Sequence, residues 1–452
     1  MKRILLDYLT NWLHGIDRKP LVLRGARQVG KTWLVRHLAK SQNKKLIELN
    51  FEKQPSHASL FKSNDPNTIL LNLSTLFNDI DPKNSLLFLD EIQTSPELLS
   101  KLRWFAEELP ELPVIAAGSL LEFVLTEHSF SMPVGRISYA HLEPLSFEEF
   151  LLATKNDGFL TYLENFTFNT DIPPVLHEQL TRLFQEYALV GGMPAATQSW
   201  ITEKSPNKIS QIQNDLLATY RDDFAKYRGR IATERLEEVM LSIPRRLGEK
   251  FVYSRINKDI PANTIKKVLD ILQKAKLCHR VQSCAANGIP LAAEINEKHF
   301  KEIFLDVGLC SAALGLNLHQ LLSLNDITLI NNGGIAEQVA GQLLRTVNPP
   351  YIEPALYYWQ REEAKANAEI DYIIQHNNQV IPVEVKAGRT GSLKSLHYFM
   401  ELKKYPLAVR INADPPSKTP VNTKTIRGEP LSYTLVSIPF YLISQIHRLI
   451  QL

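Results

Sequence analysis

Eight consecutive residues near the amino end have the types and spacing that bind a phosphate chain. They are Gly25-Ala26-Arg27-Gln28-Val29-Gly30-Lys31-Thr32, directly after the apolar stretch 21–23. In this pattern, GxxxxGK[ST], a glycine-rich turn between a strand and a helix lets backbone N–H groups converge on phosphate oxygens at the positive end of the helix dipole. Lys31 would reach the β- and γ-phosphates of ATP, and the Thr32 hydroxyl would ligate Mg²⁺. The alternative is a surface glycine turn before a helix.

Two acids at the end of an apolar run form a second motif and weaken that alternative. The run at 86–89 is followed by Asp90 and Glu91, and an uninterrupted apolar run predicts a buried parallel strand. We expect Asp90 to hold Mg²⁺ through water, and Glu91 to orient and deprotonate the water that attacks the γ-phosphate. Asp-Glu after a strand is by itself also a common helix cap. Beside a P-loop it predicts ATP hydrolysis as well as ATP binding.

Ser119 and Arg136 are further candidates for the same site. Ser119 ends the run 114–119. We predict that this run forms a strand between the strand before the P-loop, 21–23, and the strand that ends in Asp90 and Glu91, the Walker B strand. In P-loop ATPases with such an inserted strand, its end carries a polar residue that senses the γ-phosphate. A Gly-Ser helix cap is the alternative. Arg136 stands just before a fifth strand, from which an arginine could reach a γ-phosphate in its own subunit or, in a homo-oligomer, in a neighbouring one. A merely solvated arginine is the alternative.

A second chemical constellation lies near the carboxyl end. Glu337 is in the helical run 334–344, Asp371 begins the apolar stretch 371–374, and Glu384 and Lys386 are two residues apart at the end of a strand. The strand period of two puts Glu384 and Lys386 on one face, and a turn at 375–379 would fold their strand beside Asp371. This pattern resembles the PD-(D/E)xK nuclease core. The resemblance implies that Asp371 and Glu384 grip Mg²⁺, that Lys386 stabilises or activates the attacking water and that Glu337 orients the site.

Other readings of this constellation stay open. Glu-x-Lys on an exposed strand face is also a common pair of surface charges, and Pro382 predicts that the strand lies at an edge or makes only a short ladder. Residues 386–430 have nine Lys or Arg against three Asp or Glu, which suits a nucleic-acid backbone.

Alternating strands and helices must position the first site. Strands are predicted at 21–23, 46–50, 86–89, 114–118 and 137–141, with helices at 4–14, 33–41 and 96–109 between and before them. Such alternation predicts an α/β fold with a doubly wound parallel sheet, whose ligand binds at the carboxyl ends of the strands.

The middle of the chain changes to helices, including 209–220 and 235–247. A strand or turn at 251–256, an amphipathic helix at 262–276 and a strand at 278–281 then resemble a winged-helix unit. Its helix would expose Asn263, Lys266 and Lys267 to a DNA major groove. Solvated lysines on a lid or spacer are the alternative.

Composition indicates ordinary globular material. The 452 residues include 44% hydrophobic and 22% charged ones, with a formal net charge of +3, which does not suggest wholesale wrapping by nucleic acid. Three cysteines without metal-ligand spacing predict reduced, buried thiols. We expect a cytoplasmic protein without a signal peptide or a membrane span, and a terminal amphipathic helix with Leu442, Ile446, Leu449 and Ile450 on its buried face.

Motifs along nearly the whole chain resemble those of the bacterial and archaeal AAA-type ATPases that carry a C-terminal domain of unknown function. They are RGARQVGKT at 24–32, LNFE at 49–52, LFLDEIQ at 87–93, EPLSFEEFL at 143–151, YALVGGMPA at 187–195, FLDVGL at 304–309, EIDYII at 369–374 and PVEVKAG at 382–388. The resemblance implies ATP binding and hydrolysis. We predict an AAA-type ATPase domain at 1–205, a helical and winged-helix region at 206–290 and a restriction-endonuclease-like α/β domain at 291–452.

Two hypotheses of function follow. In the first, ATP hydrolysis with Mg²⁺ moves or gates a nuclease-like domain that faces DNA. In the second, the protein is an ATP-controlled scaffold whose silent C-terminal domain engages a protein partner. A motor acting on proteins has less support, because no pore loop is evident.

Overall fold

A computed structural model describes residues 1–126, 133–224, 231–316, 333–361, 368–387, 393–424 and 428–451. The chain divides into two compact units. Unit 1 consists of 1–143 together with the short segments 274–276 and 349–353, and unit 2 contains 144–273, 277–348 and 354–452. The predicted divisions at 205/206 and 290/291 therefore do not coincide with the 143/144 division of the structure.

Unit 1 is built on a parallel sheet of five strands, as predicted. The strands are β1 Leu21–Arg24, β2 Lys45–Asn50, β3 Ser85–Asp90, β4 Val114–Ala117 and β5 Ser138–His141. Their order is β2-β3-β4-β1-β5, and neighbouring strands run parallel. The apolar runs form the interior strands because these are buried on both faces. Strand β4 lies between β1 and β3, so the prediction of an inserted strand is confirmed.

Helices cover this sheet, and their apolar spacing explains which side they bury. They are α1 Leu5–His14, α2 Lys31–Ser41, α3 Pro66–Phe77, α4 Leu98–Glu108 and α5 Leu121–Thr126, with 3₁₀ turns at Pro55–Phe61 and Ile92–Thr94. In α1 the buried residues Leu5, Leu9, Trp12 and Leu13 follow the helical period. Helix α3 begins at Pro66 because the Asp65 side chain accepts hydrogen bonds from the next free backbone N–H groups.

Unit 2 contains a mixed sheet of eight strands. They are β6 Cys278–Cys284, β7 Ile295–Phe304, β8 Leu356–Gln360, β9 Glu369–His376, β10 Gln379–Val385, β11 Leu407–Asn412, β12 Ser417–Lys424 and β13 Pro430–Pro439. Their order is β12-β13-β11-β10-β9-β8-β6-β7. Strands β8, β9 and β10 are antiparallel neighbours, and β10 runs parallel to β11.

Strand β10 is interior, so the edge position expected from Pro382 is wrong. Pro382 is in register with Ile373 of β9, while the registered pairs with β11 include only residues 383–385. A proline lacks the N–H that a ladder uses on one side. The strand tolerates it because the ladder with β11 begins one residue later, which agrees with the shorter ladder that Pro382 also predicted.

The helices of unit 2 include those predicted for the middle of the chain. They are α6 Phe147–Ala153, α7 Asp157–Asn165, α8 Pro174–Val190, α9 Pro194–Glu203, α10 Pro206–Asp223, α11 Thr233–Ser242, α12 Ala262–Lys274, α13 Val307–Ala313, α14 Gly334–Leu344, α15 Lys394–Lys403 and α16 Ile446–Leu449. Short 3₁₀ turns lie at Pro244–Arg246, Tyr253–Arg255, Leu291–Glu294 and Phe440–Gln445.

Two of the sequence motifs shape the backbone of unit 2. Ser146 and Glu149 form a reciprocal capping box that starts α6. Asp306, fully buried, accepts hydrogen bonds from Gly308 N and Leu309 N to start α13, and a further one of 2.6 Å from Gly192 N. The FLDVGL and YALVGGMPA motifs therefore meet through one carboxylate.

The region 251–281, whose sequence resembles a winged helix, has a different strand pairing from the one expected. Helix α12 is present and buries Ile265, Val268, Leu269 and Leu272. The predicted strand or turn at 251–256 is a 3₁₀ turn, and β6 pairs both with β7 and with β8. The antiparallel pair β6 and β7 is thus part of the eight-stranded sheet and does not form a separate wing.

At the carboxyl end, the residues expected to form one amphipathic helix lie in a 3₁₀ turn and in the short helix α16, with Ile450 directly after it. Both follow β13, which extends to Pro439. Leu442, Ile446, Leu449 and Ile450 are buried as predicted, because proline ends the strand and the helical spacing applies only beyond it. The three cysteines are free and buried. Among the described residues, no helix has the length and apolar character needed to cross a membrane.

Candidate nucleotide site and carboxylate–lysine cluster

The P-loop connects β1 to α2 in a shape that depends on two glycines. Gly25 passes so close to the backbone that a Cβ there would lie 2.3 Å from Leu142 O. Gly30 has φ +99° immediately before α2 begins at Lys31, a conformation that favours glycine. The first N–H groups of α2 therefore follow a turn with no side chain at either critical position, which is the arrangement that receives an anion.

Lys31 is buried inside this loop. Its Nζ donates hydrogen bonds of 2.9 Å to Gly25 O and 2.8 Å to Ala26 O. Burial lowers the pKa of Lys31 from 10.5 to about 8, although the nearby Glu91 and Asp90 carboxylates act to raise it. The ammonium group is thus held by carbonyls that a phosphate could replace.

Arg3 supports the loop from outside the motif. It is buried, and it donates hydrogen bonds of 2.8 Å to Val29 O and 2.7 Å to Glu143 O. Sequence analysis did not identify it, because an arginine in an amino-terminal Lys-Arg pair has no pattern that distinguishes it from a solvated one.

Asp90, at the carboxyl end of β3, meets Thr32, in the first turn of α2. Asp90 is buried at the end of β3, and its Oδ2 accepts 3.1 Å hydrogen bonds from Thr32 Oγ1 and Asn50 Nδ2. Burial, and secondarily the Glu91 carboxylate, raises the pKa of Asp90. Asn50 was not predicted, although its position at the end of β2, in register with Asp90, is a signal that the sheet order supplies.

Glu91 and Ser119 also lie side by side. Glu91 has φ +53°, and its Oε2 accepts hydrogen bonds of 2.6 Å from Gln93 Nε2 and 3.4 Å from Ser119 Oγ. A non-glycine residue with positive φ is uncommon, and such residues cluster at functional sites. The backbone of Glu91 therefore turns its carboxylate toward the end of β4. Gln93 is a member of this group that the sequence motifs did not reveal.

Arg136 does not join this group. It precedes β5, whose first residue is in register with Leu21 at the beginning of β1. Because the strands are parallel, Arg136 lies at the amino ends of the strands, and the P-loop lies at their carboxyl ends. The Arg136 Nε is 2.6 Å from Glu107 Oε1, and its side chain is 52% exposed.

Two segments from late in the chain complete the surroundings of the P-loop within unit 1. Arg24, the residue before Gly25, pairs with Glu122 and lies 3.8 Å from Glu353. Lys276 contacts the same two acids at 3.4 and 3.2 Å. This network of two cations and two acids adjoins the amino end of the motif.

In unit 2, the four residues of the predicted constellation lie close together around a fifth that was not predicted. Lys301, on β7, has only 4% of its side chain exposed and pairs with Glu337 of α14 at 3.1 Å and with Glu369 of β9. Its burial lowers the pKa, but Glu337, Glu369 and Asp371 outweigh that effect and raise the pKa of Lys301 above its usual range.

The remaining members lie on β9 and β10. Asp371 Oδ2 accepts a 2.7 Å hydrogen bond from Val385 N, and Lys386 Nζ donates one of 2.6 Å to Glu384 Oε1. Glu384 Oε2 is buried and has no hydrogen-bond partner among the described residues. Burial, with Glu337 and Glu384 nearby, raises the pKa of Asp371 well above its usual range. Burial also raises the pKa of Glu384, although Lys386 opposes the shift.

These contacts show what the sequence could and could not indicate. Glu369 is two residues from Asp371, so strand alternation already placed both on one face. Strand alternation gave no such signal for Lys301. Its neighbours Phe300 and Glu302 are buried as well, so this part of the strand does not alternate between buried and exposed residues. Within the described residues, no three His, Cys, Asp or Glu side chains are arranged to hold a metal ion.

Exposed basic and polar side chains lie elsewhere on unit 2. Asn263, Lys266 and Lys267 are exposed on α12, and the edge strand β12 is exposed along most of its length, including Lys418 and Lys424.

Comparison with known proteins divides the chain in three. Residues 17–151 match the model of an AAA domain, and residues 181–320 and 332–422 match two domains of unknown function, DUF8612 and DUF4143. No curated protein matches the chain.

Solved structures similar to this chain have low sequence identity to it. The Walker-type ATPase PABY2304 of Pyrococcus abyssi is 16% identical, with 68% of this chain and 95% of that one covered and a TM-score of 0.43. The ORC2 protein of Aeropyrum pernix in ADPNP–ADP complexes is 14% identical, with coverage of 75% and 96% and a TM-score of 0.35. The ORC1 protein of Aeropyrum pernix in complex with DNA is 13% identical, with coverage of 71% and 90% and a TM-score of 0.26.

The matched AAA model spans the P-loop and the Walker B strand, on a parallel sheet with the strand order described above. The chain therefore carries an ATP-binding, P-loop domain of the AAA ATPase type.

Proposed function

We propose that this protein hydrolyses ATP with Mg²⁺ at the P-loop and that the nucleotide state controls the carboxylate–lysine domain of unit 2. The observation that supports hydrolysis is the meeting of Thr32, Asp90 and Glu91 at the carboxyl ends of β1 and β3. Bound Mg²⁺ would supply neutralisation of the charge that develops on the phosphates. Thr32 and Asp90 would hold it, since both present oxygen atoms, the ligands that Mg²⁺ prefers.

Each side chain then has one task. Lys31 exchanges its two carbonyl partners for phosphate oxygens. The negative charge of ATP then offsets the cost of burying the Lys31 ammonium group. Glu91 orients the attacking water and accepts its proton, and Ser119 and Gln93 hold the Glu91 carboxylate in place. General base catalysis of this kind contributes about 10²–10⁴-fold to a rate.

Two substitutions test these tasks. Lys31→Ala should abolish ATP binding in calorimetry. Glu91→Gln should bind ATP within about twofold of the wild type but hydrolyse it at least about 100-fold more slowly. Glu97→Gln is the matched control, because Glu97 is an exposed acid close in sequence, and it should keep the wild-type rate. Normal turnover in Glu91→Gln would refute its role as the base.

Arg136 is proposed to act in a neighbouring subunit. Arg136 lies at the amino ends of the strands, remote from the nucleotide site of its own subunit. Its exposed side chain could exchange Glu107 for a phosphate bound to another copy of the protein. The protein would then associate when ATP is present. Mass in solution with and without ATP tests this, and a monomer under both conditions would count against it.

The proposed partner of unit 2 is DNA. Helix α14, which carries Glu337, precedes the antiparallel pair β9 and β10, and this arrangement supports the resemblance to the PD-(D/E)xK core. Asp371 and Glu384 occupy the expected strands, and the exposed lysines of α12 and β12 suit phosphate contacts. ATPase rates with DNA, RNA or neither would identify the partner, because only the true one should stimulate turnover.

A scaffold with a silent C-terminal domain remains the second candidate. The observation that favours it is that Lys301 and Lys386 already pair with acids of the cluster. Cutting of DNA or RNA that needs Mg²⁺ or Mn²⁺ and disappears in Asp371→Ala and Lys386→Ala would support the nuclease. Nucleic acids left intact by purified protein with ATP and metal would support the scaffold.

A further inference from the structure

Lys301 lies in a cluster of carboxylates but comes from a strand outside the helix and the two strands that carry the acids. It is on β7, whereas its partners Glu337 and Glu369 belong to α14 and β9. The side chain is 4% exposed, and its Nζ also lies 5.3 Å from the centre of the Tyr358 ring. A lysine at this depth is rare unless it is paired.

Glu337 has further contacts besides Lys301. The Tyr372 hydroxyl donates a 2.7 Å hydrogen bond to Glu337 O, and Gly248 approaches so closely that a Cβ there would lie 2.7 Å from Glu337 Oε1. The Glu337 carboxylate thus has little room on the side of Gly248. Lys301 fixes it from one side, and the Gly248 backbone restricts it on another.

We propose that the Lys301 ammonium group is the resident cation of this cluster. It fills the position between Glu337 and Glu369 that a divalent ion would otherwise take, so that at most one such ion can enter, between Asp371 and Glu384. The buried, unpartnered Glu384 Oε2 is the oxygen that remains for it. With Lys301 in place, no three acids of the described cluster converge on one point. Lys301 is thereby a positioning residue that sets the metal stoichiometry.

This inference rests on the proposed nuclease-like cluster but not on ATP hydrolysis, so the two can fail separately. The test counts Mn²⁺ ions bound per chain by electron paramagnetic resonance without nucleotide. The wild type should bind no more than one ion that is lost in Asp371→Ala. Lys301→Met, which keeps most of the unbranched apolar side chain but removes the charged group, should bind one ion more than the wild type.

Thermal unfolding provides a second measurement. Mn²⁺ at about 100 times its Kd should raise the Tm of Lys301→Met by about 5 °C more than that of the wild type, because binding to the folded state alone stabilises it. Lys298→Met is the matched control, since Lys298 is an exposed lysine on the same strand, and it should behave as the wild type in both assays.

Two outcomes overturn the proposal. One is a folded Lys301→Met protein with the metal stoichiometry of the wild type. The other is a wild type that binds two ions, both lost in Asp371→Ala, and this result is decisive even if Lys301→Met does not fold. A Lys301→Met protein that folds only with Mn²⁺ would support the proposal, because metal would then replace the missing ammonium group.

Discussion

Replacement of Arg3 by methionine should weaken ATP binding without touching any residue of the P-loop motif. The Arg3 guanidinium is 4% exposed and donates one hydrogen bond to Val29 O, inside the loop, and another to Glu143 O. Methionine keeps much of the apolar volume of the side chain but has no donor. The buried Val29 carbonyl then loses this donor.

The two hydrogen bonds set the size of the effect. A hydrogen bond from a charged donor contributes about 1.5–3 kcal/mol, and a buried carbonyl left unpaired costs a similar amount. We expect the free energy of unfolding to fall by about 3 kcal/mol, at the low end of the sum, because the Glu143 bond is only partly buried and water can replace it. Only the Val29 bond constrains the loop, so its share of about 1.5 kcal/mol should raise the Kd for ATP about tenfold.

The assay separates binding from turnover. Calorimetry should give the weaker Kd for Arg3→Met, while kcat at saturating ATP stays within about twofold of the wild type, because Lys31 and Glu91 are unchanged. Arg18→Met is the matched control. Arg18 donates to Leu13 O and Pro110 O, so its loss removes hydrogen bonds to the backbone of unit 1 but none to the loop.

Two results would refute this reasoning. The first is an unchanged Kd in an Arg3→Met protein whose stability has fallen as expected. The second is an equal increase of Kd in Arg3→Met and Arg18→Met, since the effect would then come from general loss of stability.

Two further predictions concern charge and backbone. The pKa of Lys31 is about 8 without nucleotide, and phosphates favour its protonated form. Affinity for ATP should therefore fall about tenfold from pH 7 to pH 9, and at pH 8 binding should take up about half a proton, measured by calorimetry in two buffers; a Kd that stays flat would contradict this. Gly248→Ala, at φ +75°, should lower the free energy of unfolding by more than Gly315→Ala, at φ +70°, where no atom of the described residues lies within 4 Å of an added Cβ. Both incur the left-handed cost of about 1–2 kcal/mol, but only the first displaces Glu337, so equal losses in urea denaturation would exclude that contact.

The sequence predicted the parts of the fold that depend on local pattern. The apolar runs before Gly25 and Asp90 became parallel strands because their period and flanking turns allow little else. The sequence did not predict which side chains would contact Asp90 and Glu91. Asn50 and Gln93 contact the acids because strand order and a left-handed Glu91 bring them there, and neither is a property of a short window of sequence.

The second cluster shows the same limit more clearly. Asp371 and Glu384 could be paired in advance, because a hairpin turn and a period of two fix their strands. Lys301 is 70 residues before Asp371 in the chain and reaches it through the pairing of β6 with β8. Such a contact depends on sheet topology, which periodicity does not encode. For Pro382 the sequence left two outcomes open, an edge strand or a short ladder, and the structure has the short ladder, since the pairing of β10 with β11 begins at Val383.

The network around Arg24 has a consequence for dissecting the protein into fragments. Glu353 and Lys276 lie more than a hundred residues beyond 143, yet they belong to the same compact body as the P-loop. A recombinant piece that stops at 143 would leave Arg24 with Glu122 as its acidic neighbour and would expose a surface that these residues normally cover. Unit 1 is therefore not continuous in sequence, and a fragment must extend at least to residue 353 to retain its full electrostatic surroundings.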